Sequence, residues 1–470
     1  MVHTTLSRNG YKIKKNELSQ KELKSIKDDL TVNPYVVGDF GNGSEKRFSL
    51  YMESPNSLYI PRFYAYDKYG KPDKSKMDEG IDIDINFNGS LRNEQIPIID
   101  LYKQACLEKG GGLISLKCGG GKTVLALYII SMLKKKTIVV VHKDFLMTQW
   151  RDRITQFLPN ARIGKIQQNT IDIENKDIVI AMIQSISMKS YPDSLFDDFG
   201  LSIYDECHHI SSEIFSNCLR KCTTLYSLGL SATMNRKDGL THVFKMYLGD
   251  ICYKNKAIQS KDDVLVKAID YKVLDDDEYN EVLYDYRGNV KHTTMISKVA
   301  SYEYRTNFIL SVIYNEFKVN PHQQIILLSQ TKNMLNYLYK MIVNTNILST
   351  GYYVGGMKEA DLKISEKKQV ILATYAMAAE ALDIPTLTTL VLATSKSDIV
   401  QAVGRILRMK HANPLIIDII DQHECFLNQF NKRKAFYNEK GYKIIRTNNE
   451  KYIEYNKAIR KNRNIKNQIN

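Results

Sequence analysis

LISLKCGGGKTVLA, residues 113–126, is the stretch of this chain that decides its fold. An apolar run enters three consecutive glycines, and a lysine and a threonine then open a helical segment. Glycines have no side chain, so backbone N–H groups can approach phosphate oxygens closely, and the start of a helix favours negative charge. The pattern predicts a triphosphate site with bound Mg²⁺; a structural glycine-rich turn is the alternative, because Leu116 occupies the usual first glycine position. The residues predicted to hold the phosphates are Gly119, Gly120, Gly121, Lys122 and Thr123, the last of which would also bind the metal.

Two acidic residues follow a second apolar run, about eighty residues further on. Residues 201–204 are followed directly by Asp205 and Glu206, a pattern typical of carboxylates at the C-terminal end of a buried parallel strand. Asp205 is predicted to hold Mg²⁺ through water, and Glu206 to orient and deprotonate the water that attacks the phosphate. A solvated acidic loop is the alternative, but the phosphate loop upstream favours the catalytic interpretation.

Further motifs, in the same order along the chain, resemble those of superfamily 2 helicases of the DExH type. Gln95, with the leucine–arginine pair before it, resembles the element that reads adenine. Residues 138–150 resemble a strand-contacting motif, with His142 where many relatives carry proline. The resemblance implies ATP and Mg²⁺ as cofactors. It also implies coupling or nucleic-acid contact by Gln184, His208, Ser231 and Thr233.

The second half of the chain carries the remaining motifs of this resemblance. Residues 325–329 resemble motif IV, and Thr374 to Asp383 resemble motif V, with Ala381 in place of the usual glycine. Residues 401–408 match the pattern Q-x-x-G-R-x-x-R, whose polar members fall at i, i+4 and i+7 on one helix face. The resemblance implies that ATP is clasped between two domains, although surface ion pairs are the alternative for the arginines. The implied catalytic residues on this side are Gln401, Arg405 and Arg408.

Within the superfamily, the nearest likeness is to the XPB-like group, which includes the poxvirus transcript-release helicase and related large-DNA-virus helicases. The likeness rests on Cys118, which we include among the nucleotide-binding residues, and on residues 228–239. Arg236 and Asp238 stand where XPB proteins carry an R-E-D triplet that assists unwinding, with Lys237 at its centre. The resemblance implies movement along DNA with 3′ to 5′ polarity.

Composition indicates a polyanionic partner, because the net charge is +14. Residues 430–470 contribute twelve Lys or Arg against three Glu, interleaved with tyrosines, so this segment either contacts nucleic acid or forms a solvated face. No stretch approaches the ~18 apolar residues of a membrane span, and the N-terminus lacks the apolar centre of a secretory signal. Seven cysteines form no C-x-x-C pair. We therefore expect a soluble, intracellular monomer without structural metal, in cytoplasm or nucleus, or in host cytoplasm or virion if viral.

Strand-like runs that alternate with helical runs predict βαβ units and parallel sheets. One series lies within residues 95–256, and a second, after residue 320, repeats the scheme without a phosphate loop. The predicted fold is α/β, with two tandem RecA-like domains, a small β-rich accessory domain before them and a basic tail after them. The accessory domain would either engage duplex or pack against the motor. The predicted domains are 1–88, 89–258, 259–430 and 431–470.

The leading interpretation is an ATP-hydrolysing DNA helicase or translocase, acting in transcription, repair or replication of a large-DNA-virus-like genome. An RNA helicase is the nearest alternative, because strand contacts of such motors run mainly to phosphates and do not reveal the sugar. A non-unwinding motor that displaces protein or transcript is a further alternative. Components of a transcription or repair machinery are the expected protein partners.

Overall fold

A computed structural model describes residues 3–33, 47–116, 119–209, 213–232, 234, 240–255, 264–380, 384–406 and 414–452. The chain divides into two compact units, Met1–Lys256 and Ala257–Asn470. Within the described ranges, no helix is both long and apolar enough to cross a membrane.

A small sheet with two helices opens the first unit. Its elements are β1 (Thr4–Ser7), β2 (Gly10–Lys14), α1 (Gln20–Asp29), β3 (Thr31–Val32), β4 (Phe48–Ser49), β5 (Met52–Glu53), β6 (Ser57–Ile60), α2 (Arg62–Tyr69) and β7 (Lys74–Ser75). Five strands form one sheet in the order β5-β6-β2-β1-β7, antiparallel except for the β1–β7 pair, and β3 pairs separately with β4. A capping box starts α1, since Ser19 and Glu22 each accept a hydrogen bond from the other's backbone N–H. The strands agree with the predicted β-rich accessory domain, whereas both helices were absent from the prediction.

Arg62 fixes this small domain against the parallel sheet that follows. Its guanidinium is 7% exposed and donates to the carbonyl oxygens of Leu225 (2.8 Å) and Lys109 (2.5 Å). Gly110 makes room for it, because a Cβ atom there would lie 1.7 Å from Arg62 Nη2. Arg62 therefore serves packing between the small domain and this sheet.

The rest of the first unit is a mainly parallel sheet with helices on both faces. Its elements are α3 (Ile96–Lys109), β8 (Gly111–Ser115), α4 (Lys122–Leu133), β9 (Thr137–Val141), α5 (Asp144–Phe157), β10 (Ile163–Gln167), β11 (Thr170–Asp172), β12 (Ile178–Met182), α6 (Ile183–Met188), β13 (Leu201–Asp205), α7 (Glu213–Lys221), β14 (Tyr226–Ser231), α8 (Thr241–Leu248) and β15 (Ile251–Lys254). The strand order is β11-β10-β12-β9-β13-β14-β8-β15, and only β11 runs antiparallel to its neighbour. Strand β14 lies between β8 and β13, so the phosphate loop and the acidic pair emerge two strands apart at one edge.

The second unit contains a parallel sheet of its own. Its elements are β16 (Leu265–Tyr271), α9 (Asp277–Asn280), α10 (His292–Ser301), α11 (Glu303–Val319), β17 (Ile325–Ser329), α12 (Lys332–Thr345), β18 (Thr350–Tyr353), α13 (Glu359–Ser365), β19 (Val370–Thr374), α14 (Tyr375–Glu380), β20 (Thr389–Leu392), α15 (Val400–Ile406), β21 (Leu415–Asp421), α16 (Glu424–Glu439) and β22 (Lys443–Asn448). The strand order is β18-β19-β17-β20-β21-β16-β22, with parallel pairing throughout. The predicted α/β fold with two parallel-sheet domains is confirmed.

Two segments differ from the sequence prediction. The second series of strands was predicted to start after residue 320, but β16 precedes that position and lies between β21 and β22 in the sheet. The segment assigned to a basic tail begins inside α16, where Arg433 and Tyr437 are buried, and continues into β22. Its positive charges therefore include a core residue, and residues up to 448 belong to the folded sheet.

Candidate active site

The glycine loop between β8 and α4 is held from behind by Gln95. Gly119 and Gly121 have φ angles of +77° and +78°, which glycine adopts without strain. The Gln95 side-chain amide, 2% exposed, donates to the carbonyl oxygens of Gly120 (3.2 Å) and Gly121 (3.4 Å) and accepts from the Arg92 N–H (3.0 Å). A Cβ atom on Gly121 would lie 2.5 Å from that amide nitrogen. Gln95 thus shapes the loop, and adenine contact by Gln95 stays a prediction.

The two acidic residues lie at the C-terminal end of β13, as predicted. Asp205 is the last residue of the strand, and its carboxylate accepts from the Trp150 indole N–H (2.9 Å) and from the Glu206 backbone N–H (3.0 Å). Glu206 follows with a φ of +49°, a left-handed conformation that costs a non-glycine residue about 1–2 kcal/mol. This backbone turn directs the second carboxylate to the Lys122 ammonium, with which it forms an ion pair.

Electrostatics at Asp205 favour the arrival of a cation. Burial raises the pKa of the Asp205 carboxyl, and the negative charge of Glu206 raises it further. Lys122 and the Trp150 hydrogen bond act in the opposite direction. An ionised Asp205 is therefore unfavourably placed until a positive charge approaches it. Its carboxylate and the hydroxyl of Thr123, in the first turn of α4, are the hard oxygen donors that Mg²⁺ prefers, so these residues fit the predicted metal.

His208 and Ser231 extend the site to the end of β14. The His208 Nδ1 atom lies 2.8 Å from the Ser231 hydroxyl and 3.4 Å from a Glu206 carboxylate oxygen. The Ser231 hydroxyl lies 3.5 Å from the same oxygen. Lys122, Glu206, His208 and Ser231 are therefore in one contiguous network, across the ends of β8, β13 and β14.

The structure describes some of the remaining predicted site residues in full, some by their backbone alone, and others not at all. Gln184 begins a turn of α6 and donates to the His142 carbonyl (2.9 Å), so it joins the two predicted strand-contacting segments. Thr374 is the last residue of β19. Gln401 and Arg405 lie in α15, where only the backbone is described. The predicted residues outside the described ranges are Cys118, Thr233, Arg236, Asp238, Asp383 and Arg408.

Trp150 is the site residue that sequence reasoning missed. It was noticed only as the last residue of a strand-contacting motif, yet its ring is 1% exposed and its N–H faces Asp205. The available signal was its uniqueness, because the chain contains one tryptophan. The partner could not be inferred, since the contact depends on how α5 packs beside β13.

A glycine loop at a helix start, an acidic pair at a strand end and two parallel sheets define a nucleoside-triphosphate-driven motor protein with RecA-like domains. Residues 88–236 match the family described as Type III restriction enzyme, res subunit, and residues 307–410 match the helicase conserved C-terminal domain. The chain belongs to the superfamily 2 helicases, and it is an ATP-hydrolysing helicase.

Viral relatives support this assignment, and a solved structure shares the fold. The chain is 34% identical over 453 residues to the putative ATP-dependent RNA helicase L396 of Acanthamoeba polyphaga mimivirus, covering 94% of this chain and 86% of the relative. It is 26% identical to the putative helicase 161L of Invertebrate iridescent virus 6, covering 92% and 98%. The S. cerevisiae Dbp5 structure bound to RNA and ADP BeF3 shares the fold, with a TM-score of 0.52, 14% identity, and coverage of 78% and 96%.

Proposed function

We propose that this helicase is a nucleic-acid-stimulated ATPase that moves along DNA, with Lys122, Thr123, Asp205 and Glu206 as its hydrolytic residues. The observation that carries the proposal is the Lys122–Glu206 ion pair beside the glycine loop. Without nucleotide, the two groups neutralise each other. An incoming triphosphate competes for the ammonium, which releases the Glu206 carboxylate to accept a proton from the attacking water. Mg²⁺, when bound, neutralises charge on the phosphates.

The network beyond Glu206 offers a route for coupling. Because His208 and Ser231 contact the same carboxylate oxygen, a change in the position of Glu206 alters their contacts. Ser231 leads directly to Thr233, Arg236 and Asp238, which we propose as coupling and nucleic-acid contact residues. We retain Cys118 as a nucleotide contact, and Gln184, Thr374 and Asp383 as nucleic-acid contacts, on the strength of their motifs.

The arginines of residues 401–408 complete the proposed chemistry. Gln401 and Arg405 lie in α15. In the sequence, Arg408 follows at the i+7 position, the spacing typical of one helix face. We propose that Arg405 and Arg408 stabilise charge on the transferred phosphoryl group. An arginine in this role contributes on the order of 10³–10⁵ in rate. Hydrolysis would therefore be fast only when this helix takes part.

DNA is our first candidate polymer, with 3′ to 5′ movement, because of the XPB-like residues and the net charge of +14. RNA is the second candidate, and one observation favours it: the mimivirus relative is named an RNA helicase. Measuring ATPase rates on single- and double-stranded DNA and RNA separates them. A tenfold preference, about 1.4 kcal/mol, decides the polymer. Stimulation by duplex without strand separation would favour the motor that displaces protein or transcript, in a viral transcription or repair setting.

Two substitutions test the hydrolytic assignment. Lys122→Ala and Glu206→Gln are expected to abolish ATP hydrolysis and to leave nucleic-acid affinity close to wild type, since neither residue is assigned to strand contact. Lys134→Ala is the matched control. Lys134 directly follows the same helix, its side chain is about half exposed, and within the described chain it forms an ion pair with Asp84 (3.4 Å) at the surface. Wild-type turnover in either site variant would refute the proposal.

A further inference from the structure

Four consecutive backbone carbonyls in the second unit each accept a hydrogen bond from a side chain in a different part of the fold. They belong to residues 393–396, here called the connector, which joins β20 to α15. The donors are Arg305 Nη2 to Ala393 O (2.7 Å), Tyr375 Oη to Thr394 O (2.6 Å), Gln330 Nε2 to Ser395 O (2.5 Å) and Arg433 Nη1 to Lys396 O (2.8 Å). The connector side chains are also engaged, since Thr394 Oγ1 accepts from the Gln330 backbone N–H (2.8 Å) and Ser395 Oγ from Arg433 (3.1 Å).

The connector is irregular backbone in a buried place. Ala393, Thr394 and Ser395 are at most 3% exposed, so their polar groups cannot rely on solvent. Connecting segments usually run over the surface, because buried backbone groups must find partners. This fold supplies the partners from three helices and the loop after β17, which leaves the connector a single conformation.

Two of the four donors are buried arginines that bring their own counter-ions from β21. Arg305 pairs with Asp421 (Nη2 to Oδ2, 2.9 Å), and Arg433 pairs with Asp418 (Nε to Oδ2, 2.8 Å; Nη2 to Oδ1, 2.9 Å). Desolvating such pairs is expensive, and apolar residues of similar volume often give equal or greater stability. Their presence here therefore points to a requirement for geometry at the connector.

The connector joins segments that the proposed function uses. Gln330 directly follows β17, whose end resembles motif IV, and Tyr375 directly follows Thr374 at the end of β19. The connector itself leads into α15, which carries Gln401 and Arg405. The end of β17, which resembles motif IV, and the end of β19, where Thr374 is a proposed nucleic-acid contact, are thus bonded to the segment that precedes the arginine helix.

We propose that Arg305, Gln330, Tyr375 and Arg433 are positioning residues that fix α15 for catalysis through the connector, and that Tyr375 links nucleic-acid contact at Thr374, the end of β19, to it. This inference rests on the proposed function of the arginines in α15. The four side chains touch no reacting atom. They determine the position of the helix that does, and a displacement of about 1 Å at a reacting group can lower the rate by about 10²-fold.

Tyr375→Phe is the sharpest test, because it removes one hydroxyl and keeps the ring over which the Lys396 ammonium lies at 5.0 Å. We expect the kcat of nucleic-acid-stimulated ATP hydrolysis to fall about tenfold, with the KM for ATP and the Kd for a single-stranded oligonucleotide unchanged, since the binding groups stay in place. Tyr102→Phe is the matched control. Tyr102 is also fully buried and donates to a carbonyl, that of Ser227 (2.9 Å), but it lies in the first unit. The control should lose similar thermal stability and keep its kcat.

A second variant keeps the test decisive if Tyr375→Phe does not fold. Gln330→Met removes the amide donor at an exposed position and should lower kcat in the same selective way. In the double variant the two losses should combine to less than their product, because each releases the same segment. Wild-type kcat in folded single variants would overturn this inference and leave the proposed function intact. Absence of nucleic-acid stimulation in the wild-type protein would instead overturn the proposed function.

Discussion

Replacing Trp150 with phenylalanine tests whether the indole N–H keeps Asp205 ready for Mg²⁺. The substitution removes the 2.9 Å hydrogen bond to the carboxylate while keeping an aromatic ring in a site that is 1% exposed. A hydrogen bond to a charged group contributes about 1.5–3 kcal/mol, or roughly 10- to 150-fold. Asp205 is only partly buried as a residue, so the lower end applies, and we expect about a tenfold loss in kcat/KM for Mg²⁺-ATP.

The pH dependence gives this prediction its sign. The Trp150 bond lowers the pKa of Asp205 against burial and the charge of Glu206, so its loss raises that pKa further. Metal binding needs the ionised carboxylate, and the acid limb of the ATPase profile should therefore move to higher pH. Higher Mg²⁺ concentrations should partly restore the rate.

A control separates the hydrogen bond from the loss of packing. Ile154→Val lies one turn further along α5, is fully buried and removes one methyl group, which costs about 0.5–1.5 kcal/mol. It should lower the melting temperature without moving the pH profile. If Trp150→Phe also leaves the acid limb where the wild type has it, the assigned role of the indole is wrong.

Two further predictions follow from the same structure. Asp205→Asn should abolish hydrolysis yet raise the melting temperature by about 2–4 °C, the change that 1 kcal/mol produces in a unit of this size. Burial raises the Asp205 pKa in the folded state, so the wild-type protein loses stability as pH rises through that pKa. The difference in melting temperature between Asp205→Asn and the wild type should therefore shrink on acidification. Equal melting temperatures of the two proteins at pH 8 would contradict this. Ending the chain after Tyr452 removes five Lys or Arg and one Glu while keeping α16 and β22. If these charges contact phosphates, the slope of log affinity against log salt should decrease by about 0.7–0.9 per lost contact, and an unchanged slope would show that the removed segment is a solvated face.

The strands were predictable wherever both faces of a parallel sheet are covered. Such strands are continuous apolar runs in the sequence, and β13 and β17 lie where those runs predicted them, to within one residue. Strand β16 was not predicted, because Lys267 and Asp270 interrupt its apolar run. Their partners, Glu316 (2.7 Å) and Arg446 (2.9 Å), come from distant parts of the chain, so local sequence could not show that these charges are tolerated.

The candidate site was predictable to the extent that its chemistry is encoded in short stretches. The glycine loop and the Asp205–Glu206 pair could be recognised from their residue types and from their separation along the chain, because this combination has few other uses. The role of Gln95 in holding the loop, and the four donors to the connector, depend on side chains that meet only after the sheets form. These contacts join residues 19 to 88 positions apart, and no local pattern reports them.

The position of β16 in the sheet limits when the second unit can fold during synthesis. Leu265 at its start pairs with Leu415 on one side and with Lys443 on the other, 150 and 178 residues later. The ribosome synthesises β16 before both of its neighbours in the sheet. During most of the synthesis of the second unit, β16 is therefore a strand with two unpaired edges. Long loops must close before these pairings form, which makes such assembly slow and prone to association between chains. If translation stopped before β21 and β22 were made, the released polypeptide would have a complete first unit and a second unit prone to aggregation.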